Sequence, residues 1–127
     1  MADALLEYDP VTNNYVVKQA GSIKFGMNEG RKDDQDKDMW ELLPPDALME
    51  VTKVFTFGAK KYGVRNWELG MGWGRVFGAA CRHLWAFWRG EENDPETGYS
   101  HLAHAGCCIL FLLAYQLRKV GKDDRKV

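Results

Sequence analysis

The chain has 127 residues, enough for one domain with a real core if its helices pack on each other or on a second copy. Its 17 Lys plus Arg against 18 Asp plus Glu give a net charge of -1, which excludes a global basic field for nucleic acid or an anionic membrane. The longest apolar stretch, 103–115, is too short to span a bilayer, and Glu7 and Asp9 stand where a secretory signal needs basic and apolar residues. A cytoplasmic protein without membrane contact is expected.

In chain order, residues 1–38 form a polar, charge-dense arm whose candidate strands are 15–17 and 22–25. The mixed-sign run 31–38 reads either as a solvated linker or as an arm contacting phosphate or metal. Pro44-Pro45 then announces a helix, because proline is tolerated in a first turn. Over 46–61, Leu48, Val51, Phe55 and Gly58 recur at three- and four-residue steps, and Gly63 is the expected C-terminal cap. A loop over 64–72 leads to a second helix over 73–89, with Phe77, Ala80, Cys81, Leu84, Trp85 and Trp88 on one side. An acidic turn, 91–98, precedes a third helix over 100–118 that is apolar around most of its circumference, which places it at the centre of a bundle or at an oligomer interface. The expected fold is therefore all-α: a bundle of three main helices per chain plus a mostly irregular N-terminal arm, completed by oligomerisation. The divisions are 1–38 arm, 39–119 helical domain and 120–127 charged, frayed tail.

Cys81, Cys107 and Cys108 lie in apolar helical patterns and are read as inert core thiols. Zinc-binding pairs need a spacing of two to four, and adjacent Cys107 and Cys108 point about 100° apart on a helix.

The carboxylates carry more information. Asp46 and Glu50 sit one turn apart on a face of the first helix, close enough to share a hard cation, although the helix dipole alone would favour Asp46. Glu91, Glu92, Asp94 and Glu96 crowd the acidic turn and repel one another unless cations offset the charge; Asp94-Pro95-Glu96 also reads as a helix start with Asp94 as N-cap. His101 and His104 share one side of the third helix, and His83 follows Arg82 on the second. The His101 and His104 pair reads as transition-metal ligands, as core groups or, preferably, as groups bonding carboxylates behind the ligands. Candidate phosphate contacts are Lys37, Lys60, Lys61, Arg65 and Arg82. Asn66, Trp67 and Trp40 supply an amide and rings for a base. His-Asp dipeptides, a phosphate loop ending in Lys-Ser or Lys-Thr, and a Gly-x-Ser-x-Gly elbow are all missing from the sequence.

Several blocks together, Lys32-Asp33-Asp34-Gln35-Asp36-Lys37, Met39-Trp40-Glu41-Leu42-Leu43-Pro44, Phe57-Gly58-Ala59-Lys60-Lys61-Tyr62-Gly63 with Asn66-Trp67, Arg82-His83-Leu84, Gly90 to Asp94, and His101-Leu102-Ala103-His104-Ala105, resemble the dATP/dGTP diphosphohydrolases. These are a MazG-like branch of the all-α nucleoside triphosphate pyrophosphohydrolases, encoded in many phages and some bacteria. The resemblance implies a helical homodimer or homotetramer that holds Mg²⁺ or Mn²⁺, two or more ions per site, on carboxylates from two helices. It implies release of pyrophosphate from a purine deoxynucleoside triphosphate, adjusting a nucleotide pool in a bacterial or phage-infected cytoplasm. Glu91-Glu92-Asn93-Asp94 fits the Glu-x-x-Asp element of the wider superfamily. The Glu-x-x-Glu element is not intact, since Ala47 stands three before Glu50 and the nearest acidic partner is Asp46.

The expected site therefore has Glu50, Glu91 and Asp94 as catalytic groups, with Asp46 beside them as a weaker metal ligand. Lys37, Trp40, Lys60, Lys61, Arg65, Asn66, Trp67 and Arg82 are the expected substrate contacts, and His101 and His104 stand behind the ligands. Two other readings use the same residues without catalysis: a helical protein-interaction module working through its tryptophan faces, and a single-strand nucleic-acid binder using Arg65, Asn66 and Trp67.

Overall fold

A computed structural model of the chain describes residues 6–17 and 30–126. It divides into two compact units, Met1–Met39 and Trp40–Val127. In the first, β1 (Leu6–Asp9) and β2 (Asn14–Val17) form an antiparallel hairpin with Leu6 opposite Val17 and Asp9 opposite Asn14. The Asp9 carboxylate shapes its turn by accepting the Val11 N–H at 2.9 Å and the Thr12 hydroxyl at 3.1 Å. The strand expected at 15–17 lies within β2, whereas the one expected at 22–25 falls outside the described residues. β1 had no alternating pattern to announce it.

The second unit is helical: α1 (Pro45–Tyr62), α2 (Trp73–Trp88) and α3 (His101–Arg118). Pro45 opens α1 where an N–H has no partner in any helix. Gly63, at φ +109°, closes it, its N–H donating to the Ala59 carbonyl at 2.9 Å. The loop after α1 contains a short 3₁₀ turn, Asn66–Leu69.

α2 starts at Gly72, which has no side chain to cap with. The cap comes from the other end of the chain: the Asp124 carboxylate accepts the Gly74 N–H at 2.8 Å. This corrects the frayed tail expected after Lys119. The Trp73 N–H donates to the Lys122 carbonyl, and its indole N–H to the Val120 carbonyl, both at 2.9 Å. The approach is backbone on backbone. Gly70 and Gly121 both have positive φ, and a Cβ on Gly70 would stand 2.8 Å from the Gly121 nitrogen.

α3 packs against both α2 and α1. Ala103 and Cys107 meet Val54 of α1 in a core flanked by Val51, Phe55, Tyr99 and Phe111, and Gly106 lets Val51 come close, since a Cβ there would lie 3.2 Å from its methyl. Tyr115 is the most deeply buried side chain, and its hydroxyl donates to the Trp67 carbonyl at 2.6 Å. Only part of the expected apolar face of α2 is covered: Ala80 is buried, while Phe77, Trp85 and Trp88 are 62%, 61% and 79% exposed. Among the described residues no helix is long and apolar enough to cross a membrane.

Candidate metal centre

Between the end of α2 and the start of α3 the chain makes a tightly pinned loop. The Asp94 N–H donates to the Tyr99 carbonyl at 2.7 Å, the Gly98 N–H to the Asp94 carbonyl at 2.7 Å, and the His101 N–H to the Glu92 carbonyl at 2.8 Å. Asp94 does not start a helix, as its Asp-Pro pattern suggested. Its Oδ1 accepts the N–H groups of Glu96 (2.8 Å) and Thr97 (3.2 Å), and α3 begins later, capped by the Ser100 hydroxyl on the Leu102 N–H. Burial alone would raise the Asp94 pKa, but the Thr97 and Glu96 N–H groups and the neighbouring imidazoles outweigh it and hold the carboxyl below its ordinary value.

This loop delivers Asp94 to the histidines. One ring nitrogen from each of His83 and His101 and a carboxylate oxygen of Asp94 all lie within 4.8 Å of one another. The two Nδ1 atoms are 2.9 Å apart, and the Asp94 Oδ2 is 3.9 Å from His83 Nδ1. His101 is 4% exposed, and its Nε2 stands 2.6 Å from a Glu91 carboxylate oxygen. A carboxylate can only accept, so Nε2 donates to Glu91 while Nδ1 faces His83. His104 stacks on His83 with centroids 4.5 Å apart, and its Nε2 is held 2.7 Å from the Thr97 hydroxyl. Burial first, then the neighbouring rings, lowers the pKa of His83; burial also lowers that of His104 against the opposing pull of Asp94.

The carboxylate cluster expected from two helices is not assembled. Among the described residues, exposed Asp46 accepts only the adjacent Ala47 N–H, at 2.8 Å, and Glu50 pairs with Lys53 at 2.7 Å along α1. Among the described residues, the convergent group is His83, Asp94 and His101, with Glu91 behind His101. The sequence reading named His83 without a partner, because the ring it meets lies 18 residues away across a helix–helix contact. Thr97 escaped it altogether, since no pattern ties a loop threonine to His104 seven residues on.

The basic and aromatic candidates are scattered. Lys61 reaches the acidic turn, pairing with Glu96 at 2.8 Å. Arg82 is exposed near His83 and has no ion pair among the described residues. Arg65, in a left-handed conformation, pairs with Glu68 at 2.8 Å. Trp67 is not open to a base: it stacks on Phe111 at 4.6 Å and lies under the Arg118 guanidinium at 5.6 Å, so the aromatic core and one cation already occupy its ring. Trp40 is 78% exposed, and Lys60 and Asn66 are exposed as well. Lys37 belongs to the other unit, where it lines a polar hollow with Asp9, Thr12 and Arg31. The cysteines are free; burial pushes the Cys107 thiol up to about 12 and raises that of Cys108, so neither is a ready thiolate.

Fold and site together define an all-α protein that presents a two-histidine, one-carboxylate cluster at the mouth of its α2–α3 connection. A family model described as dATP/dGTP diphosphohydrolase, N-terminal, matches residues 27–125. The chain belongs to that family. It is 34% identical over 97 residues to a curated dATP/dGTP diphosphohydrolase of Salmonella phage PMBT28, an alignment covering 76% of this chain and 33% of the relative. The chain thus spans about a third of the length of the curated relative it matches. No solved structure matches it.

Proposed function

We propose that this chain is a metal-dependent nucleoside triphosphate pyrophosphohydrolase acting on purine deoxynucleoside triphosphates. The observation that carries the reading is the convergence of His83, Asp94 and His101 on one point in a chain of this family. The relative's name, a dATP/dGTP diphosphohydrolase, supplies the substrate class. In the reaction, water adds to the α-phosphorus, the bond from that phosphorus to the bridging oxygen breaks, and pyrophosphate leaves the monophosphate.

The residues fit a divalent cation: two imidazole nitrogens and a carboxylate oxygen converge as possible ligand atoms. Such a cation supplies Lewis-acid polarisation of phosphate oxygens and neutralises their charge. Asp94 holds its donor oxygen in place through two backbone N–H bonds, and Glu91 fixes the tautomer and tilt of His101. Arg82 is placed to receive phosphate charge, and Lys61 does so once it exchanges Glu96 for the ligand. His104, stacked on His83 and tied to Thr97, holds the His83 ring in place beside the cluster.

Assembly as a homodimer or homotetramer belongs to the same reading. An apolar groove lined by Cys81, Leu84, Trp85, Phe87, Trp88 and Leu102 supports it, with Trp85 61% and Trp88 79% exposed. The test is chromatography of products from a panel of triphosphates with and without divalent cations. The expected products are the monophosphate and pyrophosphate, formed only with the cation. Inorganic phosphate plus a diphosphate, or turnover unaffected by chelator, overturns the reading.

A further inference from the structure

We propose that the His83–Asp94–His101 cluster is a single-ion site selective for a borderline transition-metal ion, of the Fe²⁺ to Zn²⁺ series, over Mg²⁺. The inference deepens the function above by naming the cofactor class, and it stands on the donor set. Mg²⁺ demands oxygen ligands and gives up water reluctantly, whereas imidazole nitrogen suits zinc, iron, cobalt and nickel. Two of the three converging donors here are imidazole nitrogens. Spacing agrees. A tetrahedral ion with bonds of about 2.0–2.1 Å holds its donors roughly 3.3–3.4 Å apart; the observed 2.9 Å and 3.9 Å bracket that value, and the third pair lies within 4.8 Å, so local side-chain shifts bring all three donors to one ion.

The surroundings are also those of a ligand site. A metal-bound histidine characteristically gives its other N–H to a carboxylate, and His101 faces Glu91 at 2.6 Å with one nitrogen while presenting the other to the cluster. A bare N–H···N bond between His83 and His101 would account for their 2.9 Å separation, but not for the Asp94 oxygen brought to the same point by a loop pinned at both ends. The cluster supplies three donors, which leaves an open coordination position for water or phosphate.

The experiment is a Co²⁺ titration of the chelator-treated full chain, read by visible absorption, with Zn²⁺, Mn²⁺ and Mg²⁺ as competitors. One Co²⁺ per chain is expected, displaced by stoichiometric Zn²⁺ and not by a thousandfold excess of Mg²⁺. Asp94→Asn, whose amide oxygen still accepts the Glu96 and Thr97 N–H groups, should weaken Co²⁺ at least about a hundredfold, and Glu91→Gln about 10- to 100-fold. Asp46→Asn and Glu50→Gln should leave the titration unchanged. Circular dichroism of each metal-free variant checks its fold, and Asp94→Asn carries the test if His83→Gln does not fold. No cobalt spectrum, Mg²⁺ competing at comparable concentration, or wild-type binding by Asp94→Asn each overturns the proposal. Cobalt binding without triphosphate hydrolysis would instead remove the function and leave this site standing, and Mg²⁺-driven hydrolysis by a chain that ignores Co²⁺ would do the reverse.

Discussion

The outer face of α1 and the loop between α2 and α3 each carry closely spaced carboxylates, yet they come to opposite ends. On α1, Asp46 and Glu50 find partners one and three residues away, a backbone N–H and a lysine, both exposed. In the loop, Glu91 finds a ring 10 residues on, and Asp94 faces His83 across a helix junction. Spacing along the chain is the same kind of signal in both places. A site arises in the second because other elements bring in rigid, partly buried groups whose charges are not quenched locally, and low exposure makes each such contact count for more.

The sharpest way to break this comparison is to remove one charge from each region. Asp94→Asn should lower pyrophosphate release at saturating cation at least about a hundredfold, because the α-phosphate chemistry loses an ionised donor, while Glu50→Gln should change the rate by less than about threefold. Steady-state kinetics of both variants decides it. Equal losses would return the site to the α1 carboxylates.

Next in size is Thr97→Val, which tests whether the loop is rigid by construction. The hydroxyl lies 2.7 Å from His104 and accepts the Tyr99 N–H at 3.2 Å, both partly buried. Removing it strands two polar groups at an expected cost of about 1–3 kcal/mol, measurable by urea unfolding. A neutral result would mean that water replaces the hydroxyl and that the loop is looser than its bonds indicate.

The same contrast explains what could be read from the sequence. Helices α1, α2 and α3 were legible to within a residue or so at their ends because period and caps are local: Pro45, Gly63 and the apolar repeats lie inside the segments they define. The acidic turn was legible as a crowd of carboxylates, and His101 as a partner for one of them. What could not be read is every contact between elements. His83 meeting His101, Trp67 stacking on Phe111, and Asp124 returning to cap α2 depend on how α3 packs against its neighbours, which no spacing encodes. Asp94-Pro95 misled because an Asx turn and a helix N-cap use the same side-chain bond, and only the following residues decide whether a helix continues.

Asp124 extends the comparison to a third region, with a smaller effect. Its carboxylate caps α2 from 50 residues away, so Asp124→Ala should destabilise the fold by about 0.5–2 kcal/mol, as loss of an N-cap does, whereas Asp124→Asn should cost only a few tenths. Asp46→Ala, by contrast, removes a bond to its own neighbour and should stay within about 0.5 kcal/mol. Thermal melts of the three variants compare a distant partner with a local one directly. If Asp124→Ala melts like wild type, the tail is not holding α2.

The smallest expected effect marks where the comparison stops. Lys61 and Glu96 come from different elements, 35 residues apart, yet their side chains are 43% and 64% exposed, and water screens the pair about as well as it screens Lys53 and Glu50 within one turn of α1. A double-mutant cycle with Lys61→Met and Glu96→Gln should therefore give a coupling of about 0.2–1 kcal/mol at low salt, falling towards zero in 0.5 M salt, and a cycle on Lys53 and Glu50 should give a similar value. If the Lys61–Glu96 coupling were several times larger and resisted salt, distance in sequence would matter by itself. The physical expectation is that it does not: a contact between elements matters at Asp94 and His101 because the structure also takes them out of water, and Lys61, left in water, remains available to exchange Glu96 for a phosphate.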